Sequence, residues 1–229
     1  LFALCLALSW ISFSEENIIR PKHRWLIVVI LLWGLYLTFS RASMLGSVIV
    51  LYLYAILTKR QQLLRTLYFG LFLGFVLFMV FANIKFKAYV FDTINLRESS
   101  SLGHLISWVT GLDAIFQQPL GMGLGSSGLY AFGDGLGIGG ESQPIFMGVS
   151  TGILSMLAYL VIYIRIIVVL AKNWSSFSGY TKVIAFALML FKLGAIIPML
   201  TSYFESFLYL SYMTWLFSGY VINQVLREK

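Results

Sequence analysis

Arg41 is the charged side chain of this sequence that is best placed to bind an anion. It follows Ser40 inside a long apolar run, 25–57, where a guanidinium near hydrocarbon costs on the order of 3 kcal/mol. A guanidinium is always charged and can hold two phosphate oxygens at once. We therefore expect Arg41 and Ser40 to form an anion clamp. Snorkelling of Arg41 to a membrane interface is the alternative explanation.

A second group of polar side chains lies in the segment 85–143, which lacks a long apolar run. His104 and Trp108 are four residues apart, so they share one face of a predicted amphipathic helix. The apolar residues with the same helical spacing are Leu105, Ile106, Val109, Leu112, Ile115 and Phe116. His104 is a candidate base, although a lone histidine is more often a structural or surface residue. Trp108 is a candidate substrate-binding residue.

Glu141 lies at the end of this segment, immediately before the next apolar run. A carboxylate in this place can act as a general base on a hydroxyl group, or it can simply favour the start of a helix. Lys192 lies near the middle of another apolar run, where an ionisable residue predicts a functional site. Glu205 is its available partner.

The glycines of 121–128 include the pattern Gly-x-Gly-x-x-Gly at 123–128. A dinucleotide site needs this pattern between a strand and a helix, whereas here a predicted helix precedes it and more glycines follow. We expect Gly121 and Gly123 instead to form a sharp turn where the backbone approaches another group closely, and both are candidate substrate-binding residues.

Composition indicates which kind of fold must position these residues. Hydrophobic residues make up 59% of the 229 residues, charged residues make up 11%, and the mean hydropathy is +0.87. A soluble domain averages roughly 45–50% apolar and about 25% charged residues. The sequence therefore predicts an all-α, polytopic bundle of transmembrane helices, with about seven spans. The predicted spans are 1–13, two short spans within 25–57, 66–84, 144–170, 182–200 and 203–222.

Basic residues cluster in alternate connections, which predicts the orientation of the chain. The groups expected to be cytoplasmic are Arg20, Lys22 and Arg24; Lys59, Arg60 and Arg65; Lys172 and Lys182; and Arg227 and Lys229. The segment 85–143 and the Ser40-Arg41 break then face outward. This pattern explains the net charge of +7 without nucleic acid as a partner.

The remaining features exclude some kinds of site and indicate how the chain is organised. Cys5 is the single cysteine, so an internal disulfide and a cysteine metal cluster are excluded. The sequence has no acidic cluster suited to a metal, and we expect no cofactor. Residues 1–229 are expected to form one transmembrane domain, and the start inside an apolar run indicates a piece of a longer protein.

Three stretches resemble the O-antigen ligase and polymerase family of bacterial polysaccharide assembly. "LTFSRASMLGSVIVLYL" (37–53) is similar to a Ser-Arg segment that joins two spans. "HLISWVTGLDAIFQQPLGMGLGS" (104–126) resembles a helix with a tryptophan, followed by Pro-Leu-Gly-x-Gly. "ESQPIFMGVSTGILSMLAYL" (141–160) is similar to the segment that leads into a long span.

The resemblance implies a glycosyltransferase on the outer face of the bacterial plasma membrane. A glycan would pass from undecaprenyl diphosphate to an acceptor glycan, with other polysaccharide-assembly membrane proteins as possible partners. Arg41 matches a diphosphate-binding position. The family typically has arginine where this chain has His104, and Arg97 is the expected substitute. Glu141 stands where ligases typically carry histidine, so the resemblance favours a polymerase over a ligase that transfers glycan to lipid or protein.

Two other classes compete with this interpretation. Broken spans, glycines and Lys192 also occur in transporters, but a transporter is expected to place charged groups at the midplane of paired repeats. Here the polar groups concentrate in one segment and no repeat is evident. A non-catalytic membrane scaffold is the third class, and no motif favours it.

Overall fold

The computed structural model describes residues 1–13, 21–128, 138–203, 205 and 208–227. These residues form eleven α-helices and no strand, which confirms the all-α prediction. The helices are α1 (Phe2–Phe13), α2 (Pro21–Leu37), α3 (Arg41–Leu57), α4 (Gln61–Phe81), α5 (Ile84–Ile94), α6 (Ser99–Gln117), α7 (Gln143–Thr151), α8 (Ile153–Asn173), α9 (Gly179–Gly194), α10 (Ile196–Thr201) and α11 (Leu208–Arg227).

The chain divides into two compact units. The first unit comprises residues Leu1–Tyr54 and Leu157–Lys229, and the second comprises Ala55–Met156. The boundaries fall within α3 and near the start of α8. Arg41 and Lys192 therefore belong to the first unit, whereas His104 and Glu141 belong to the second.

The core of the first unit is built around α9. Every residue from Ala185 to Phe191 is buried, and α1 packs along this helix. The rings of Phe191 and Phe2 make a T-shaped contact, with centroids 5.3 Å apart. The Ser9 hydroxyl donates to the Val183 carbonyl over 2.6 Å, so a polar group of α1 is satisfied inside the contact.

Two glycines bring α3 and α9 into close backbone contact in the first unit. A Cβ atom on Gly46 would lie 2.5 Å from the Gly194 carbonyl oxygen, and a Cβ atom on Gly194 would collide with Val50. Small residues allow this approach between helices that gain little from the hydrophobic effect in lipid. A side chain at either position would push the two helices apart.

The second unit is built on the contact between α6 and α7. Its buried cluster consists of Ile115, Ile145 and Val149, and Trp108 packs against this cluster. Gly111 allows the contact, because a Cβ atom there would collide with Ile145. Trp108 therefore has a packing role in this unit.

A turn after α6 docks onto the break between α7 and α8. The Met122 amide donates to the Val149 carbonyl over 2.7 Å, and the Ile153 amide donates to the Pro119 carbonyl over 2.9 Å. Gly121 (φ +89°) and Gly152 (φ +94°) face each other, and a Cβ atom on either would lie 2.6 Å from backbone of the other segment. The turn expected at Gly121 is present, and its backbone does approach another group closely.

The helix boundaries differ from the predicted spans in three places. The predicted span 182–200 is divided at Ala195 into α9 and α10. The predicted span 144–170 is broken at Gly152 into α7 and α8, because the docked turn holds Gly152 at a positive φ. The segment 85–143 contains two helices rather than one. The sequence analysis missed α5, whose start is capped by the Asn83 side chain accepting from the Phe86 amide over 2.8 Å.

Among the described residues, α4 and α8 are long and apolar enough to cross a membrane, and α1, α3 and the Trp25–Leu37 part of α2 are shorter apolar helices. No residue of α4, all of which are described, is buried. The predicted number of seven spans stays a prediction. Arg20, Lys229 and the stretch 129–137, which the sequence analysis used, lie outside the described residues.

Candidate functional site

Helix α6 positions His104 on its second turn. The helix begins after Glu98, whose carboxylate accepts from the Ser101 amide over 3.1 Å. A carboxylate at this place satisfies a free amide and complements the positive end of the helix. The same helix buries Ile115 against α7, so its rotation about its own axis is fixed and with it the direction of His104.

Glu141 lies just before α7 and reaches back to His104. The N-cap of α7 is Ser142, which makes no side-chain hydrogen bond to the helix. Glu141 Oε2 instead lies 2.7 Å from His104 Nδ1. Glu141 is therefore not the cap of this helix, and the structure brings together the two residues that were predicted as alternative bases.

The contact between His104 and Glu141 is short but does not have hydrogen-bond geometry. Nδ1 of His104 is buried and makes no well-aligned hydrogen bond to any described residue. An imidazole that donates from Nδ1 to a carboxylate is held in one tautomer and one orientation.

A cavity of about 550 Å³ opens beside this pair. Most of its wall is one face of α6, and the rest comes from the turn after α6 and from the residues before α7. The described lining residues are Gly103, Ile106, Ser107, Thr110, Asp113, Ala114, Gln117, Gln118, Met122, Ile138 and Glu141. Glu141 lines this cavity, whereas His104 is not among the described lining residues, so the carboxylate is the member of the pair that a ligand meets.

The polar face of α6 is the part of the site that the sequence analysis missed. The sequence analysis considered only the apolar spacing of this helix. It did not consider the polar residues Ser107, Thr110, Asp113 and Gln117, which repeat at intervals of three and four. That spacing was a usable signal, because it places all four on one side of a helix. Gln117 Nε2 donates to Asp113 Oδ2 over 2.7 Å on this face.

The glycines predicted to bind substrate have different surroundings. Gly121 faces the backbone of Gly152, which accounts for its lack of a side chain. Gly123 also has a positive φ (+100°), but a Cβ atom there would meet nothing within 4 Å. Substrate binding by either glycine stays a prediction.

The predicted anion-binding arginines lie at the ends of helices. Arg41 is exposed and is the first residue of α3. Ser40 precedes it, and its hydroxyl accepts from the Ser43 amide over 3.3 Å. Arg97 is exposed in the connection between α5 and α6 of the second unit. A cation on the first turn is opposed by the helix dipole, so the position of Arg41 gains nothing from the dipole of α3.

Lys192 forms a separate, enclosed cluster in the first unit. Its Nζ atom lies 3.5 Å from Glu205 Oε1, 4.6 Å from the ring centre of Tyr163 and 4.5 Å from that of Trp215. Trp215 Nε1 donates to the other oxygen of Glu205 over 3.2 Å. The partner expected for Lys192 is thus the observed one, and two aromatic rings complete the surroundings of the ammonium.

Comparison with known proteins identifies the family of this chain. A model of the O-antigen ligase family matches residues 26–148, which is more than half of the chain. The matched range contains Arg41, Arg97, His104 and Glu141. No curated protein and no solved structure matches the chain significantly. The chain belongs to the O-antigen ligase family, whose members act in bacterial polysaccharide assembly.

Proposed function

We propose that this protein is a polysaccharide polymerase that joins lipid-linked oligosaccharide repeat units on the outer face of the bacterial plasma membrane. The observation that carries the proposal is the His104–Glu141 pair, whose carboxylate lines a polar cavity within the family-matched range. The proposal includes a multi-pass topology with about seven spans and an outward-facing segment 85–143, which the placement of basic residues supports.

The reaction is a substitution at the anomeric carbon of the donor glycan. The acceptor hydroxyl oxygen forms a bond to that carbon, and the bond from the carbon to the diphosphate oxygen breaks with its electron pair. Glu141 takes the hydroxyl proton as the new bond forms. We assign His104 as a positioning residue behind Glu141, because its Nδ1 atom lies 2.7 Å from the Glu141 carboxylate.

The leaving diphosphate requires positive charge rather than a general acid. Arg41 and Arg97 are the residues we assign to this role, because a guanidinium keeps its charge and can grip two phosphate oxygens. The proposed reaction needs no metal ion, so transfer by the purified protein should continue in excess chelator. Loss of transfer in chelator, with recovery on adding one divalent metal, would contradict this part of the proposal.

An O-antigen ligase is the second candidate function, favoured by the name of the matched family. A ligase would transfer finished polymer from the lipid carrier to a different acceptor, such as a lipid or a protein. Glu141 at the end of the segment, where the resemblance expects histidine in ligases, favours the polymerase.

Deletion of the gene separates these functions and the competing transporter. A polymerase mutant should accumulate single repeat units on the lipid carrier at the outer face and lose the polymer. A ligase mutant would accumulate long polymer on the carrier, and a transporter mutant would retain repeat units at the inner face. Complementation with the Glu141→Gln variant should leave the polymerase phenotype uncorrected while the wild-type gene corrects it.

A further inference from the structure

We propose that the face of α6 formed by Ser107, Thr110, Asp113 and Gln117, here called the polar stripe, binds neutral sugar rings of the acceptor glycan. This inference rests on the proposed function, because it places the acceptor so that its terminal hydroxyl meets Glu141. All four stripe residues and Glu141 line the same cavity. The stripe thus adds a specificity-determining surface to a site whose proton acceptor is at its edge.

The spacing of the stripe suits an extended ligand. Ser107 and Gln117 are ten positions apart on one helix, which corresponds to roughly 15 Å along its axis. The cavity volume of about 550 Å³ falls within the range of roughly 300–1,000 Å³ that is usual for ligand pockets. A chain of linked sugar rings can lie along such a groove with one end at Glu141.

Ser107 lines this groove and has an unused hydrogen-bonding group. Its hydroxyl oxygen is buried and has no hydrogen-bond partner among the described residues. More than about nine in ten buried polar atoms in proteins are satisfied, so a ligand hydroxyl is a fitting partner. Thr110 and Asp113 have their own contacts: Thr110 donates to the Ile106 carbonyl over 2.9 Å, and Asp113 accepts from Gln117. These contacts leave further acceptor positions on the Thr110 hydroxyl and the Asp113 carboxylate.

The charge of the groove indicates a neutral ligand. Its described lining contains the carboxylates Asp113 and Glu141 and includes no lysine or arginine. A diphosphate in contact with this wall would be repelled, since like charges at short range destabilise each other. Ile106, Met122 and Ile138 supply apolar wall between the polar groups, and a sugar ring presents both hydroxyl groups and apolar C–H faces.

The proposed role of the polar stripe is tested by measuring how tightly a sugar probe binds the full chain in lipid nanodiscs. The probe is the oligosaccharide repeat unit released by mild acid from the lipid carrier of cells that lack the gene. We expect Thr110→Val and Gln117→Leu each to weaken its binding about fivefold, the scale of one or two lost hydrogen bonds. Thr93→Val is the matched control, because Thr93 makes the same contact to the carbonyl four residues earlier, over 2.8 Å on α5, and does not line the cavity. Equal binding by Thr110→Val, Gln117→Leu and Thr93→Val would overturn the proposal.

Two further measurements identify the class of ligand. Asp113→Asn should leave binding within about twofold, because a neutral ligand needs the hydrogen bond and not the charge. Inorganic diphosphate should fail to displace the oligosaccharide, and displacement would show that the groove is an anion site. The Glu141→Gln variant should bind the probe but lose transfer. Normal transfer by Glu141→Gln would overturn the proposed function, whereas loss of binding in the stripe variants reports on the groove alone.

Discussion

Among the described residues, a close pair of a carboxylate and a nitrogen base occurs in each unit, and the two pairs differ in their surroundings. Lys192 and Glu205 in the first unit are 3.5 Å apart, with 0% and 7% of their side chains exposed. His104 and Glu141 in the second unit are 2.7 Å apart, with 27% and 47% exposed. Aromatic rings enclose the first pair, whereas a cavity adjoins the second.

This difference separates a structural role from a chemical one. An enclosed pair holds its protein together mainly because breaking it leaves a buried charge, and that costs about 3–5 kcal/mol. A partly exposed pair contributes about 0–1 kcal/mol to stability, so removing one of its members should cost little folding energy. Glu141 lines a cavity that a ligand could enter, whereas Lys192 has no exposed surface through which a ligand can reach it.

The largest effect is expected when only one member of the enclosed pair is removed. Lys192→Met leaves the Glu205 carboxylate buried without its ammonium, and we expect a loss of about 3–5 kcal/mol in stability. The double variant Lys192→Met, Glu205→Gln removes both charges and keeps an acceptor for Trp215, so it should recover most of that loss. Thermal unfolding in detergent, followed by tryptophan fluorescence, measures both.

Lys172→Met is the control for this comparison, because Lys172 is an exposed lysine in the last turn of α8. It should change the unfolding midpoint little. A double variant as unstable as Lys192→Met would show that the lost stability does not come from an unpaired buried carboxylate. The proposed structural role of the Lys192–Glu205 pair would then be wrong.

The next effect concerns His104 and Glu141, here called the open pair, and should appear in activity rather than stability. Glu141→Gln keeps the shape of the side chain but removes the base, and we expect transfer to fall by at least about 100-fold. His104→Gln should cost less, about tenfold, because it removes the group that orients Glu141. Initial rates of polymer formation by purified protein, with unfolding midpoints for both variants, test this order. Near-normal transfer by Glu141→Gln with collapse in His104→Gln would reverse the two roles.

A variant of Arg41 tests whether a charged residue of the first unit can act in the reaction when it is exposed. Arg41 lies in the first unit, as Lys192 does, but it is exposed. Arg41→Lys keeps the charge and loses the two-pronged grip, so transfer should fall by about tenfold or more at unchanged expression. Arg60→Lys, which alters another arginine beside a helix start, should transfer normally. Full activity of Arg41→Lys would leave only the snorkelling explanation.

The smallest effect is a difference in thiol labelling between two introduced cysteines. It shows on which side of the membrane His104 and Glu141 lie. Single cysteines at Ser99 and Gln62, both exposed positions, are introduced after Cys5→Ser. An impermeant thiol reagent on intact cells, or on spheroplasts where an outer membrane blocks entry, should label only position 99. Labelling of position 62 alone would place His104 and Glu141 on the cytoplasmic side and contradict the proposed reaction.

Local sequence pattern predicted the helical elements better than the contacts between them. The break at Ser40-Arg41 was evident because the run 25–57 is too long for one crossing of about 30 Å. The helical spacing after His104 likewise predicted much of α6. The break at Gly152 was not evident, since it depends on a turn that docks from another part of the chain.

The pairing of residues in the site was only partly accessible from sequence. Lys192 and Glu205 were matched because few ionisable groups occur in apolar runs. His104 and Glu141 were treated as competitors, because no periodicity links residues on α6 with the start of α7. The α6–α7 contact through Gly111 and Ile145 brings them together, and it is a product of packing rather than of local propensity.

The enclosed Lys192 also constrains how the chain is assembled during synthesis. Lys192 lies in α9, whereas Glu205 and Trp215 follow it in the sequence, so α9 is made before the groups that surround its ammonium. Lys192 is in the last turn of α9, and a lone lysine in an inserting helix costs up to roughly 2.5–3.5 kcal/mol on insertion scales, the value at the helix centre. For α9 as part of a predicted span, we therefore expect stable residence in the bilayer to await the arrival of α11. A nascent chain arrested before residue 205 should leave α9 extractable by carbonate, whereas a chain that extends through α11 should retain it in the membrane.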